Sequence, residues 1–326
     1  MFESRSELLE VLRMPAEDYR REIMPAAGQV HQIHNGGGLT AAGMIGYSNI
    51  CRSRCLYCGM RAGSVIPRYR LPADDVIAAA RTVSELGLPR LFLISGEDPG
   101  YPFADLLKIV AAAKEYGLWV SLAAGELERE QYAALRDVGL DEYALKFEMS
   151  DREVFNRLNP STDFDRRMRC IAWIKECGLA LGSGNIVGYP GHTLGQVADD
   201  ILLMRELEIR WAPVIPYMPA KGTPLAEEGG PGSLDTTLRE ISLLRLMMPE
   251  IRITAQQPGK NPADGLTAAD GNLEALTAGA DLLFVDMLPS ALAKAFRVVD
   301  ERLVRGMEHV RTMAQAAGMP LRLMRG

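Results

Sequence analysis

The chain has no apolar run near the ~18 residues that a membrane-spanning helix requires, so no such helix is expected. Nor does it carry an excess of basic charge. Its 36 Lys and Arg are outnumbered by 42 Asp and Glu, a net −6 in 326 residues, which argues against nucleic acid as a partner. Residues 1–22 are charged and amphipathic and contain no apolar stretch of the kind a secretory leader needs. A cytoplasmic location with no membrane partner is therefore expected. Cysteine is scarce. The five present, at positions 51, 55, 58, 170 and 177, are an odd number in a large chain and make a poor disulfide framework. Three of them crowd into residues 51–58, the strongest chemical signal in the chain.

Hydrophobic residues make up 48% and charged residues 24%, the balance of a globular enzyme rather than a disordered chain. After an N-terminal helical stretch and a Gly-rich segment, His34 to Gly43, apolar strands and amphipathic helices alternate. Strands are expected at 44–48, 90–95, 118–123, 142–147, 179–187, 211–217, 251–255 and 282–286. Helices are expected near 73–87, 103–117, 127–138, 163–178, 193–207, 234–248 and 268–279. Gly87, Gly117, Gly139, Gly178 and Gly279 stand where a helix C-terminus favours glycine. Such alternation with short connections implies parallel strands and right-handed crossovers. Eight units in about 250 residues fit an α/β fold of the (β/α)8 barrel type better than a doubly wound sheet. The expected organisation is one domain: an N-terminal extension 1–43, a barrel 44–290 and a C-terminal helical cap 291–326. The Arg/Glu alternation over 297–309 is expected to be a solvated face of the final helix.

Cys51, Cys55 and Cys58 form C-x3-C-x2-C directly after the first expected strand. Structural zinc sites use four ligands with paired C-x2-C units, and no fourth ligand follows nearby. Three thiolates suit three irons of a 4Fe–4S cluster and leave the fourth iron open to bind and activate another molecule. With the aromatic Tyr57 before the last cysteine, the motif resembles that of the radical S-adenosylmethionine (radical SAM) superfamily. The resemblance implies a TIM barrel of the radical SAM type, with a 4Fe–4S cluster and SAM as cofactors. It further implies reductive cleavage of SAM to a 5′-deoxyadenosyl radical that attacks a small-molecule substrate. An electron donor such as ferredoxin or flavodoxin is implied as a partner.

Other motifs extend the resemblance. Ser95, Gly96, Glu97 and Asp98 are similar to the family motif that receives the SAM amino group. Gly184, Ile186 and Gly188 resemble the GxIxG motif whose backbone lies along the adenine. By the same carry-over, Tyr57 and Glu148 contact SAM, and Arg167 pairs with its carboxylate, Arg166 being the adjacent competitor. Arg68-Tyr-Arg70, Arg157-Leu-Asn-Pro160 and Val187-Gly-Tyr-Pro-Gly-His-Thr193 make the chain similar to one group of the superfamily. That group contains the hydrogenase maturase HydE, methylornithine synthase and biotin synthase, and the likeness runs over about Val30 to Leu225.

Departures narrow the chemistry. Biotin synthase builds a second cluster on barrel cysteines, whereas the matching positions here are Ser121-Leu-Ala-Ala124 and Gly182. Cys170 and Cys177 lie on an expected outer helix and are read as small buried hydrophobes, so sulfur insertion is disfavoured. The positions that grip the substrate in methylornithine synthase correspond to Pro213 and Pro258.

Barrel active sites sit at the C-terminal ends of the strands. Glu126, Tyr217, Gln256 and Asp286 are the catalytic candidates there, with Thr254, Gln257 and Met287 as further lining residues. The amides favour a neutral, hydrogen-bonding substrate, and Asp286 either takes a substrate ammonium or caps the next loop. His31 and His34 are expected in a loop before the first strand, as second-layer or solvated residues, and His192 in a turn. The expected function is HydE-like radical rearrangement or bond cleavage in cofactor or amino-acid-derived metabolite biosynthesis. The alternatives are a methylornithine-synthase-like mutase, a sulfur-inserting biotin- or lipoate-type synthase, and a non-enzymatic iron–sulfur or metal-delivery scaffold.

Overall fold

The computed structural model describes residues 2–300 and 303–324. The strands are β1 Leu39–Ser48, β2 Arg90–Ser95, β3 Trp119–Ala123, β4 Glu142–Ala144, β5 Ala180–Gly182, β6 Ile186–Val187, β7 Trp211–Ala212, β8 Ile215–Pro216, β9 Arg252–Ile253, β10 Leu282–Asp286 and β11 Leu321–Arg322. The main sheet runs β10-β1-β2-β3-β4-β5-β7-β9, and its pairings are parallel. A bridge between Thr254 and Leu282 joins its two ends and closes the barrel. Backbone bonds Ala255 N→Leu282 O at 2.8 Å and Asp281 N→Ile253 O at 3.0 Å seal that seam.

Period-two alternation sorts the side chains. Ala42, Phe92, Ala144, Trp211 and Phe284 point into the barrel, while Ile45, Tyr47, Leu91, Leu93 and Val120 pack under the helices. Phe92, Trp211 and Phe284 meet at 4.9–5.7 Å between ring centroids and fill the middle of the lumen. Below them Arg90 and Ser121 hold Glu142, and the burial of this carboxyl raises its pKa. The lumen is thus a packed floor with working space only above it.

The seven expected helices fall at 73–85, 103–115, 129–137, 164–176, 194–206, 234–247 and 269–277. Asp163, Thr193 and Ser233 cap three of them through side-chain bonds to the first turn, each worth about 1 kcal/mol. The five expected C-terminal glycines all have positive φ.

Several boundaries differ from expectation. β1 starts at Leu39, so the Gly-rich segment contributes strand to the barrel and the division at residues 43/44 moves upstream. Expected strand 142–147 pairs only over 142–144. Expected strands 179–187 and 211–217 each break in two, at Ser183–Asn185 and at Pro213–Val214. Proline has no N–H for a ladder, and glycine adds no side chain to hold one. The upper pieces, β6 and β8, pair with each other.

The C-terminal cap is not purely helical: β11 adds to β1 beside Leu39 and Thr40. Within 297–309, helix begins only at Met307, so that stretch is not one helical face; Glu301 and Arg302 lie outside the described residues. His31 and His34 belong to the helix Met24–Asn35 rather than a loop. His31 is buried beside Asp281 at the N-terminal end of the strands, away from the cysteines, and burial lowers its pKa to about 4.

Candidate functional site

The cysteines lie on a loop whose two ends are tied together. Ser48 closes β1 and bridges Arg70, so residues 49–69 form a closed excursion. Asn49, fully buried, receives Tyr69 N at 2.8 Å and donates to the carbonyls of Pro67 and Ala295, each at 2.7 Å. Arg68 donates to four carbonyls, and Arg61 to those of Cys55 and Arg54. Leu56 pairs through its backbone with Leu158 and Leu225, which brings the second half of the barrel against the loop. Guanidinium bonds to carbonyls order an irregular loop without using up its positive charge.

Cys51, Cys55 and Cys58 are half-buried free thiols. Burial pushes Cys58 up to about 12, and burial reinforced by the neighbouring Cys58 raises Cys55. Burial raises Cys51 as well. Three crowded thiols with raised pKa values resist ionising by themselves; bound iron supplies the positive charge that makes them thiolates. Among the described residues no three His, Cys, Asp or Glu side chains converge as ligands of one metal ion. Thiolates on separate irons of a cluster stand further apart than ligands of one ion, so this donor set fits a cluster better than zinc.

The loop after β2 packs directly on the cysteine loop. A Cβ at Gly96 would lie 2.4 Å from Ile50 O and 2.7 Å from Cys51 Cβ, so only glycine permits the approach. Glu97 accepts from Ser53 Oγ at 2.8 Å and from Glu126 N at 3.1 Å, and pairs with Arg52 at 3.3 Å. Asp98 takes a forked pair from Arg70 at 2.6 and 2.8 Å, with further bonds from Ser48 Oγ and Gly100 N. Its acceptor capacity is thus spent on a clamp joining the end of β1, the end of the cysteine loop and the loop after β2. The structure makes Asp98 a holder of that loop rather than a free ligand. Ser95 bonds the Gly96 carbonyl. Tyr57 is likewise engaged, through Asn159 Oδ1 at 2.7 Å.

Glu148 is a non-glycine residue with φ of 64°, a conformation that costs about 1–2 kcal/mol. Two backbone bonds hold it there: Glu148 N→Gly184 O at 3.0 Å and Ile186 N→Glu148 O at 2.9 Å. Its Oε2 lies 3.1 Å from Lys146 Nζ, an ion pair by distance but without hydrogen-bond alignment. Arg167 is 8% exposed and bonds Glu126 Oε1 at 2.8 Å and the Lys146 carbonyl. Burial lowers the Arg167 pKa, but Glu126 and Glu148 more than offset it, so the net shift is upward. Arg166 turns away to Glu128 and Trp173. Of the two arginines, Arg167 is the one that acts on Cys55 and Glu148.

Gly184 sits at the break between β5 and β6, and Gly188 at φ 72° lets residue 232 approach, where a Cβ would come within 2.8 Å of Gly232 Cα. Ile186 and Tyr217 join a buried apolar cluster with Met149, Phe155 and Leu225, against which Leu56 and Tyr57 rest. The Tyr217 hydroxyl has no partner there. Gln256 donates to the Phe284 carbonyl at 3.5 Å, while Gln257 is anchored to the Val214 carbonyl and Thr254 to Trp211 Nε1. Asp286 accepts from Arg305 N at 2.9 Å through Oδ2, the capping use that the sequence allowed for it. Met287 packs in the main core. His192 accepts from Gly188 N in its turn. Cys170 is buried and Cys177 ends its helix, both facing carbonyls.

A cavity of about 510 Å3 opens between the loops after β2 and β3. Tyr47 and Ser95 line it from outward-facing strand positions and Ala124 from just past β3, so it lies outside the barrel wall, and Glu97, Glu126 and Arg166 also line it. Lys146, the ion-pair partner of Glu148, was not among the residues singled out from the sequence. Its place two residues beyond the lumen-facing Ala144 was the available signal. The buried polar set Asn185, Asp200 and Glu240 was missed altogether.

A model of the radical SAM superfamily matches residues 45–204. The [FeFe] hydrogenase maturase subunit HydE of Thermotoga maritima is 30% identical over 296 residues, 90% of this chain and 83% of that protein. The 3-methylornithine synthase of Methanosarcina acetivorans is 25% identical over 292 residues, 88% of this chain and 80% of its own length. The crystal structure of methylornithine synthase (PylB) superposes with a TM-score of 0.85 at 25% identity, covering 98% of this chain and 94% of that one.

Proposed function

Because the chain belongs to the radical SAM superfamily and is an enzyme of that class, we propose that Cys51, Cys55 and Cys58 hold one 4Fe–4S cluster beside a SAM site at the mouth of the barrel. When bound, these cofactors supply an electron and a 5′-deoxyadenosyl radical that removes a hydrogen atom from the substrate. The protein's part is placement. Glu97 and Gly96, held by the Asp98–Arg70 clamp, receive the SAM amino group. Arg167 exchanges its bond to Glu126 for the SAM carboxylate, and Glu148 meets the ribose or amino group. The backbone of 184–188 lies along the adenine.

The reading is carried by one observation: three free thiols share a stapled loop above a closed lumen floor, Cys55 and Cys58 in the field of Glu148, Cys55 also in that of Arg167, and Cys51 in that of Glu97. The substrate is a small molecule in the space above Phe92, Trp211 and Phe284, faced by Lys146 and Gln256. Radical rearrangement or bond cleavage of the HydE-like type, in cofactor or amino-acid-derived metabolite biosynthesis, is the leading class. The methylornithine-synthase-like reading draws on the close superposition, yet Pro213 and Pro258 offer no side-chain charge to an amino acid. Cys170 and Cys177 face carbonyls on an outer helix, so sulfur insertion lacks a donor cluster.

The reductant is an acidic electron-carrier protein such as ferredoxin or flavodoxin. Residues 51–73 carry five arginines and no acidic side chain in a chain of net charge −6, so the cluster loop is locally positive. The test is anaerobic reconstitution: about four irons per chain and 5′-deoxyadenosine formed on reduction. A metal-delivery scaffold binds iron but shows no heat of SAM binding in calorimetry. Cleavage of SAM by a Cys58→Ala chain overturns the assignment.

A further inference from the structure

A second polar constellation lies behind the lumen wall, where β5 and β7 break. Glu240, on the helix 234–247, is 0% exposed, and among the described residues neither of its carboxyl oxygens has a partner in hydrogen-bonding geometry. Asp200, on the helix 194–206, is 1% exposed. Between them stands Asn185, also fully buried. Its Nδ2 donates to Asp200 Oδ2 at 2.8 Å, and its Oδ1 has no partner. Asn185 also lies within hydrogen-bonding reach of Glu240.

An amide offers two N–H donors on one nitrogen and an acceptor oxygen. The Asn185 nitrogen bonds Asp200, no N–H bonds either oxygen of Glu240, and the buried Asn185 oxygen is left in want of a donor. A dry carboxyl without a donor keeps its proton, and the surroundings show which of the two acids is in that position. Asp200 Oδ1 accepts Ser150 N at 2.8 Å, and His192 Nε2 stands 3.5 Å from Oδ2. His192 accepts Gly188 N on Nδ1, so its remaining ring proton is on Nε2, toward Asp200. Asp200 is thus ringed by donors, whereas Glu240 has none. The charged groups facing Glu240 are Asp200 from the neighbouring helix and Lys146 from the strand side, the latter already beside Glu148. Burial, reinforced by Asp200, moves the Glu240 carboxyl well above the usual carboxylate range.

We propose that Glu240 is a protonated acid that donates to Asn185 Oδ1, and that it acts through Asn185 as a positioning residue for Glu148. The route is short. Residues 184 and 186, on either side of Asn185, make the two backbone bonds that hold Glu148 at its left-handed φ. Fixing the Asn185 side chain from both ends fixes that segment, and with it the carboxylate assigned to SAM. This step rests on the proposed SAM role of Glu148; the proton on Glu240 does not.

The experiment uses the full, cluster-loaded chain. In infrared spectra at neutral pH, the wild type shows the carbonyl stretch of a buried carboxylic acid that Glu240→Gln lacks. The glutamine keeps a donor of the same size, so its SAM affinity stays within about twofold of wild type. Glu240→Leu leaves Asn185 Oδ1 unpaired and binds SAM about tenfold more weakly, the loss of one buried hydrogen bond. Identical infrared spectra for wild type and Glu240→Gln overturn the proposal, as does a glutamine chain that fails to fold. Equal SAM affinity of the Leu and Gln variants overturns the positioning role. If Glu240→Leu does not fold, the infrared comparison and the Gln affinity decide. Absence of SAM binding by the wild type defeats the reading of the site, while the acid band still decides the proton.

Discussion

The two halves of the barrel are built differently. From β1 to β4 the ladder has a single register shift, at Gly46–Ser48, and β1 alone runs ten residues. From β5 to β9 the strands shrink to two or three residues, and two of them break. The first half carries its chemistry on a loop held by ion pairs reachable from solvent, Arg70–Asp98 and Arg52–Glu97. The second half carries it on broken backbone backed by fully buried acids, Asp200 and Glu240. A continuous strand needs no side chain to complete its hydrogen bonds. A broken one does, and the polar groups recruited to a dry interior must be paired or neutral.

The largest expected effect lies in the first half. Cys58→Ala abolishes iron binding at the open-site cluster and with it all SAM cleavage, while circular dichroism stays that of the wild type because the loop's ties run through Asn49 and Arg68. Retained iron at wild-type stoichiometry contradicts this.

Next is the clamp. Asp98→Ala removes the partner of Arg70 and Ser48 and costs about 1–2 kcal/mol of stability, since Arg70 can turn to water, read as a lower midpoint in denaturant. SAM affinity falls with it, since the loop bearing Gly96 and Glu97 loses its anchor. A variant as stable as wild type shows that the first half does not depend on this ion pair.

The sharpest test of the contrast is pH. Burial raises the Asp98 pKa, but the bonds from Arg70, Ser48 and Gly100 more than offset it, so its folded value is depressed. Such a group stabilises the fold above its unfolded value near 4 and loses that contribution as pH falls through the folded value. Glu240 has the opposite sign. Its raised folded value means that the fold holds a proton the unfolded chain has released, so stability drains away as pH climbs above about 4 toward the folded value. Hydrogen exchange is expected to show the 96–100 segment loosening in acid and the 184–188 segment in alkali. Glu240→Gln removes only the alkaline effect. The same segment loosening at both extremes defeats the division.

The smallest effect concerns the rim of the cysteine loop. Arg54 is exposed, and Arg54→Glu should slow reduction of the cluster by flavodoxin about five- to tenfold at low salt, the difference fading at high ionic strength. Reduction by a small chemical reductant stays unchanged. Equal slowing by both reductants places the effect on the cluster rather than on docking.

Much of this was legible in the linear chain. The positions of eight strand segments and seven helices follow from periodicity and glycine placement, and the cysteine spacing pointed to the cluster. These are local signals, in which covalent distance along the chain is itself the evidence. Asp286 shows the limit: a carboxylate at the end of β10 suits either a substrate or a cap, and only the fold reveals that the chain returns to offer it Arg305 N. His31 shows it too, placed by sequence before the first strand and by the fold beneath the barrel, against Asp281.

What the sequence by itself determined is therefore the α/β alternation, the cluster motif and the family, because each depends on neighbours a few residues apart. The tertiary structure decided where strands break, that Thr254 and Leu282 close the ring, and that Glu240 ends against Asn185. Those outcomes turn on which polar groups are forced together away from water, and residues 55 positions apart have no local reason to share one proton.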